Sequence, residues 1–75
     1  MIGVVLSYDA RRGMGQLSAE RGGAPVLVYV GEVERAGLIS LTPGDRVSFD
    51  IKVDKALGRR FAVNLSLLEH SSEHG

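Results

Sequence analysis

The chain has 75 residues, nine basic and nine acidic side chains, and no cysteine. This length supports one domain with one small core. The lack of cysteine excludes disulfides and thiolate metal sites and fits a reducing compartment. No apolar run approaches the roughly 20 residues of a membrane span, and the first eight residues are too uncharged for a signal peptide. We therefore expect a cytoplasmic protein without a membrane segment.

The first half of the sequence predicts three strands. Residues 2–8 are rich in β-branched and aromatic side chains, and a turn at 9–13 follows them. The hexapeptide 12–17, Arg-Gly-Met-Gly-Gln-Leu, leads into a second strand at 14–19. A loop with paired glycines and a proline then precedes a third strand at 26–30, a run of Val, Leu and Tyr.

The second half predicts a short helical turn and two more strands. Residues 32–36 favour one turn of helix before Gly37 ends it. A β-turn at 42–45 leads into strict apolar and polar alternation over 46–54, which is typical of a half-buried strand. A second turn is followed by alternation over 61–67, which predicts a fifth strand paired back as a hairpin.

Five short strands with a break after the third predict an all-β, five-stranded Greek-key barrel of the OB type, since closure removes exposed sheet edges. This domain spans residues 1–68, and we expect the polar segment 69–75 to be a disordered tail. The alternation assigns one apolar set to the core: Val5, Leu17, Val26, Val28, Val30, Val33, Val47, Phe49, Ile51, Val63 and Leu65.

Five blocks of the sequence resemble the cold-shock domain family. The first, Gly3-Val4-Val5 with Tyr8-Asp9, resembles its first strand. Residues 12–17 are similar to its first ribonucleoprotein motif, Lys-Gly-Phe-Gly-Phe-Ile, and residues 26–30 to its second, Val-Phe-Val-His-Phe. Residues 41–49 resemble its Leu-x-x-Gly-x-x-Val-x-Phe, and residues 62–65 its closing Ala-Ala-Asn-Val. The resemblance implies an OB barrel that binds single-stranded RNA or DNA by stacking bases on aromatic side chains of strands one to three.

The sequence departs from this family at the stacking positions. The first-strand tryptophan corresponds to Ser7, and both phenylalanines of the first motif correspond to Met14 and Gln16. The outward phenylalanine and histidine of the second motif correspond to Leu27 and Tyr29. Each base stacked on an aromatic ring is worth about 1–3 kcal/mol, so the loss of several platforms predicts weak binding.

The candidate nucleic-acid site combines the remaining aromatics with loop cations. We expect Tyr8 and Tyr29 to lie close together on the outer face of the barrel. The basic residues of the first turn and last hairpin would contact phosphates, although Asp50 and Asp54 are interleaved with them. The predicted nucleic-acid-binding residues are Tyr8, Arg11, Arg12, Met14, Gln16, Leu27, Tyr29, Arg59 and Arg60.

A protein interface is the alternative for the same face. Met14, Leu27 and Leu38 are apolar and expected outward beside Tyr29, and contiguous exposed apolar area commonly marks a protein contact. This pattern would suit a protein partner or self-association. In the simplest alternative, these side chains only cover one another.

Nothing in the sequence predicts an enzyme. Gly13-x-Gly15 lacks the third glycine and the following helix of a dinucleotide-binding loop. His70 and His74 have a spacing that suits a metal only on a helix, which a short polar terminus does not favour. We therefore expect no catalytic residue, no cofactor and no metal site.

Overall fold

The computed structural model describes residues 1–69, so the predicted tail beyond Glu69 and its two histidines lie outside the described residues. Its elements are β1 (Ile2–Asp9), β2 (Met14–Ala19), β3 (Val26–Tyr29), α1 (Val30–Arg35), β4 (Arg46–Asp54) and β5 (Arg59–Glu69). The strands form a closed barrel in the order β1, β2, β3, β5, β4. β3 and β5 are parallel, and the other neighbours are antiparallel. The predicted all-β barrel of the OB type is confirmed.

The core consists of apolar side chains that the strands and α1 direct inward. Burying one such side chain stabilises the fold by about 1.5–3 kcal/mol, and Phe49 is the largest of them. Within residues 1–69, no helix is long and apolar enough to cross a membrane. The core residues are Val5, Leu17, Val26, Val28, Val33, Leu41, Val47, Phe49, Ala62 and Leu65.

The core differs from the prediction on either side of α1. Val30, predicted as a core residue of a strand, begins α1 and is 37% exposed. Its backbone N–H donates to the carbonyl of Gly13 at 2.8 Å, where the chain leaves the sheet. Leu41 is buried instead. It lies in the irregular segment before β4, where no periodic pattern marks an inward position.

A β-bulge in β5 changes which of its residues face the core. Ser48 pairs with Ser66 and Asp50 pairs with Val63, so β5 has one more residue than β4 over this stretch. Asn64 lies within it at a φ of 54°. The bulge reverses the alternation, a common effect of an extra strand residue.

The prediction that Val63 lies in the core is therefore wrong. Ala62 and Leu65 are buried on either side of the bulge, while Val63 lies opposite exposed Asp50. Ile51, predicted as a core residue, lies opposite Ala62 and packs against the core while remaining partly exposed.

α1 ends at a glycine, as the sequence predicts. Gly37 has a φ of 80°, and its N–H donates to the carbonyl of Glu34 at 2.9 Å. The N–H of Leu38 donates to the carbonyl of Val33 at 3.1 Å. These two bonds form a Schellman motif, which typically brings the residue after the glycine back onto the helix. Leu38 packs against the core, so its predicted outward position is wrong.

Candidate functional site

Four strands bring two rows of side chains onto one side of the barrel. The rows follow from the strand register, since residues opposite one another on neighbouring strands point to the same side. Gly15, between two of these residues on β2, is buried, which shows that its neighbours point outward. We call these residues the outer face: Ser7, Gln16, Leu27 and Phe61 in one row, and Asp9, Met14 and Tyr29 in the other.

The outer face contains a depression of about 210 Å³. Pockets for small molecules usually measure roughly 300–1,000 Å³, so this depression is small for one. Its size favours a surface that contacts only part of an extended ligand. A larger depression, about 480 Å³, lies at the other end of the β1–β2 hairpin, at Met1, Ile2, Glu20 and Arg21. The depression on the outer face is lined by Ser7, Asp9, Arg12, Met14, Gly15, Gln16 and Leu27.

Tyr29 and Phe61 form an aromatic pair beside this depression. Their ring centroids are 5.9 Å apart and the ring planes make an angle of 61°, an edge-to-face arrangement. Such pairs are worth about 0.5–1.5 kcal/mol beyond the area they bury. Both side chains are only partly buried. Phe61 was missed by the sequence reasoning, and Asn64 was the available signal because asparagine tolerates the left-handed conformation of a bulge.

Tyr8 lies on the inner side of β1, so its predicted place beside Tyr29 on the outer face is wrong. The register moves from Val5 opposite Leu17 to Ser7 opposite Gln16, which inserts one extra residue into β1. This bulge shifts the alternation by one position.

The contacts of Gly15 confirm the inward position of Tyr8. The two residues are opposite each other, and a Cβ added to Gly15 would meet the Tyr8 Cδ1 atom at 3.0 Å. Tyr8 packs against the core. The glycine at this position therefore makes room for the tyrosine ring to pack against the core.

The first turn places an ion pair at the edge of the outer face. Arg12 Nε lies 3.7 Å from Asp9 Oδ2, and both side chains are more than half exposed. Asp9 Oδ1 also accepts hydrogen bonds from the backbone N–H groups of Arg11 at 3.0 Å and Arg12 at 3.3 Å. Asp9 thus organises the turn, and its charge also opposes the approach of an anion. The side chain of Arg11 is exposed.

The two arginines of the last hairpin lie on opposite sides of β5. Arg59 is opposite Asp54 and alternates with Phe61, so it lies on the side of the outer face. Lys52 is directly opposite Phe61 on the same side. Arg60 points the other way, and its Nη2 donates to the carbonyl of Ala24 at 3.1 Å. Arg60 therefore ties the hairpin to the β2–β3 loop.

The structure brings together most of the predicted nucleic-acid site. Of its residues, Tyr8 and Arg60 are directed away from the outer face. Leu38, which belongs to the protein-interface alternative, is packed against the core. Among residues 1–69, no three His, Cys, Asp or Glu side chains are placed to hold a metal ion. The residues on or beside the outer face are Arg12, Met14, Gln16, Leu27, Tyr29 and Arg59.

Fold and site together define a small OB-type barrel with an apolar and aromatic outer face. The sequence is 36% identical over 63 residues to a probable cold shock protein of Sinorhizobium fredii and, over the same length, to cold shock protein CspA of Rhizobium meliloti. Each alignment covers 84% of this chain and 91% of the relative. The cold shock-like protein CspA of Rickettsia typhi is 34% identical over 65 residues, which are 87% of this chain and 90% of that protein. No family model matches the chain.

The chain belongs to the cold-shock protein family. The resemblance to that family predicted from the sequence is confirmed.

Proposed function

We propose that the protein binds single-stranded RNA or DNA weakly on the outer face. Leu27 and Tyr29 contact bases together with Met14 and Gln16, and Arg12 contacts phosphates. One observation carries the proposal: in a member of the cold-shock family, the two motif-bearing strands present a contiguous, partly apolar face with cations at its edges. Arg11 and Arg59 supply further positive charge from the first turn and the last hairpin.

The composition of the outer face accounts for the weakness of the binding. Met14 and Leu27 offer apolar area but no aromatic ring, and Gln16 offers hydrogen bonds. A base stacked on an aromatic ring gains about 1–3 kcal/mol, which these side chains do not supply in full. Asp9 pairs with Arg12 and reduces the charge that attracts a phosphate. We therefore expect lower affinity than that of a barrel with the family's full aromatic set.

Affinity measured at two salt concentrations tests this proposal. The probe is an oligothymidine of about 10 nucleotides, within the site size of one OB barrel. Two or three phosphate contacts predict that affinity falls about 7- to 20-fold between about 50 and 200 mM salt, because the strand releases counterions on binding. Isothermal titration calorimetry gives the affinity. If no binding is detected at low salt with either oligothymidine or oligouridine, the proposal is wrong.

A protein interface is the competing explanation for the apolar residues of the outer face. It retains Met14, Leu27 and Tyr29, but Leu38 packs against the core and does not extend the surface. Nucleic-acid binding is therefore the better supported proposal. Self-association that is insensitive to salt, observed by analytical ultracentrifugation together with no oligonucleotide binding, would favour the competing explanation.

A further inference from the structure

We infer that Phe61 is a base-stacking residue, and that with Tyr29 it forms an aromatic subsite on β3 and β5 for one nucleobase of a single strand. Lys52 and Arg59 lie beside this subsite and contact the adjoining phosphates. The inference rests on the proposed function. It adds β5 to the binding surface, a strand that lies outside the two ribonucleoprotein motifs.

The position of every aromatic side chain supports this subsite. The chain contains two tyrosines, two phenylalanines and no tryptophan. Phe49 is buried in the barrel, and Tyr8 packs against the core from the inner side of β1. Tyr29 and Phe61 are therefore the two aromatic rings on the outer face, and they are adjacent.

The geometry of the pair leaves ring surface for a base. In an edge-to-face arrangement, one ring contributes only its edge to the contact, so its partner does not cover its faces. Both rings are partly exposed. Phe61 lies next to Leu27 across the β3–β5 pairing, so the subsite continues the row of residues that leads to Gln16 and Ser7.

The bulge in the backbone of β5 holds Phe61 outward. Asn64 has a φ of 54°, a left-handed conformation that asparagine tolerates better than most residues other than glycine. Its bulge is what puts Phe61 outside while Leu65 stays in the core.

Two cations flank the ring of Phe61 on the same side of the sheet. Lys52 is directly across from it on β4, and Arg59 is two residues earlier on β5. Both are exposed, and neither forms an ion pair or side-chain hydrogen bond with the residues that the structure describes. Asp54, opposite Arg59, accepts hydrogen bonds from the N–H groups of Ala56 and Leu57 through Oδ1. The subsite thus combines a π surface with two cations, and the Asp54 carboxylate on the same side offsets part of their positive charge.

Paired substitutions test the subsite. Phe61→Leu keeps an apolar side chain and removes the aromatic face, whereas Phe61→Tyr keeps the face. With oligothymidine as the probe, we expect Phe61→Leu to weaken binding at least about 5-fold, the lower limit of a lost stacking contact. Its salt dependence should match that of the unsubstituted protein because the cations are unchanged. Phe61→Tyr should retain the unsubstituted affinity, and denaturation curves of both variants establish that they are folded.

The outcomes separate the subsite from the proposed function. If the unsubstituted protein binds oligothymidine and Phe61→Leu binds equally well, the inference is wrong and the proposed function stands. If the unsubstituted protein binds no oligonucleotide, both fail. An NMR measurement does not depend on a folded variant: nuclear Overhauser contacts between Phe61 ring protons and thymine protons support the subsite. Their absence from a complex that shows such contacts to Tyr29 overturns it.

Discussion

Asn64 donates a hydrogen bond from Nδ2 to Oδ2 of Asp50 at 2.9 Å, across the β4–β5 pairing. Its backbone N–H donates to Glu32 Oε1 of α1 at 3.4 Å. A residue with a φ of 54° is thereby held from both the neighbouring strand and the helix. Because this residue forms the bulge, the same contacts determine that Phe61 faces outward beside Tyr29.

Substitutions of Asn64 should separate the backbone requirement from the side-chain bond. Asn64→Val introduces a β-branched residue at positive φ and removes the bond to Asp50, so we expect a loss of about 2–3 kcal/mol in unfolding free energy. Asn64→Gly loses the bond but adopts the backbone easily, and should cost about 1 kcal/mol. Urea denaturation measures both. Equal stabilities of the two variants would show that the bulge does not depend on the left-handed conformation.

Gly15 should tolerate no side chain because the backbone of β1 passes close to it. An added Cβ would collide with the carbonyl oxygen of Ser7 and lie 3.0 Å from Tyr8 Cδ1. We expect Gly15→Ala to lower the unfolding free energy by about 1–3 kcal/mol, the usual cost of overpacking. Gly31→Ala is the matched control, since nothing lies within 4 Å of its Cβ position on α1. It should leave stability unchanged or raise it by up to about 1 kcal/mol. An unchanged denaturation midpoint for Gly15→Ala would contradict the close approach of the β1 backbone to Gly15.

Much of the fold could be predicted because local patterns and global packing agree. The alternation in β4 identifies Val47 and Phe49 as core residues, and both are buried. Gly37 ends α1 at a positive φ, as a helix-terminating glycine should. Leu41 could not be predicted because its burial depends on a tertiary contact of an irregular segment.

The aromatic residues of the outer face could not be predicted, because two bulges interrupt the alternation on which the assignment was based. One extra residue in β1 turns Tyr8 inward, and the extra residue of β5 turns Phe61 outward. Apolar and polar alternation with a period of two residues does not reveal such an insertion, because the residues before and after the extra residue each alternate normally. Met14 and Leu27 lie in strands whose register has no such shift, and their outward positions were predicted from the sequence.

Removing the negative charge of Asp9 should strengthen oligonucleotide binding. Asp9→Asn keeps an oxygen that accepts from the N–H groups of Arg11 and Arg12, while it releases the Arg12 guanidinium from its ion pair. We expect affinity for oligothymidine to rise by up to about 5-fold, which corresponds to the 1 kcal/mol upper range of an exposed pair. Glu20→Gln, at the other end of the β1–β2 hairpin, is the control with the same change in net charge. Equal gains in both variants would indicate a net-charge effect and argue against a site at Arg12.

Arg59 and Arg60 are adjacent in sequence, and the structure predicts different roles for them. Arg59→Gln should weaken oligothymidine binding. It should also reduce by about one the number of phosphate contacts calculated from the salt dependence of the affinity. Arg60→Gln should leave the salt dependence unchanged, because the Arg60 side chain donates to the Ala24 carbonyl away from the outer face. Titrations over a salt series measure both slopes. If Arg60→Gln changes the slope and Arg59→Gln does not, the phosphates of the oligonucleotide lie on the side of the hairpin that carries Arg60.

Contact between the outer face and the nucleic acid is the central requirement of the proposed function. Mapping of backbone amide shifts by NMR, during titration with oligothymidine at about 50 mM salt, tests it directly. We predict that Gln16, Leu27 and Tyr29 shift most, while Ala19 and Ser48 at the other end of the barrel do not change. Shifts centred on Ile2 and Glu20, or no shift at any residue, would contradict the account.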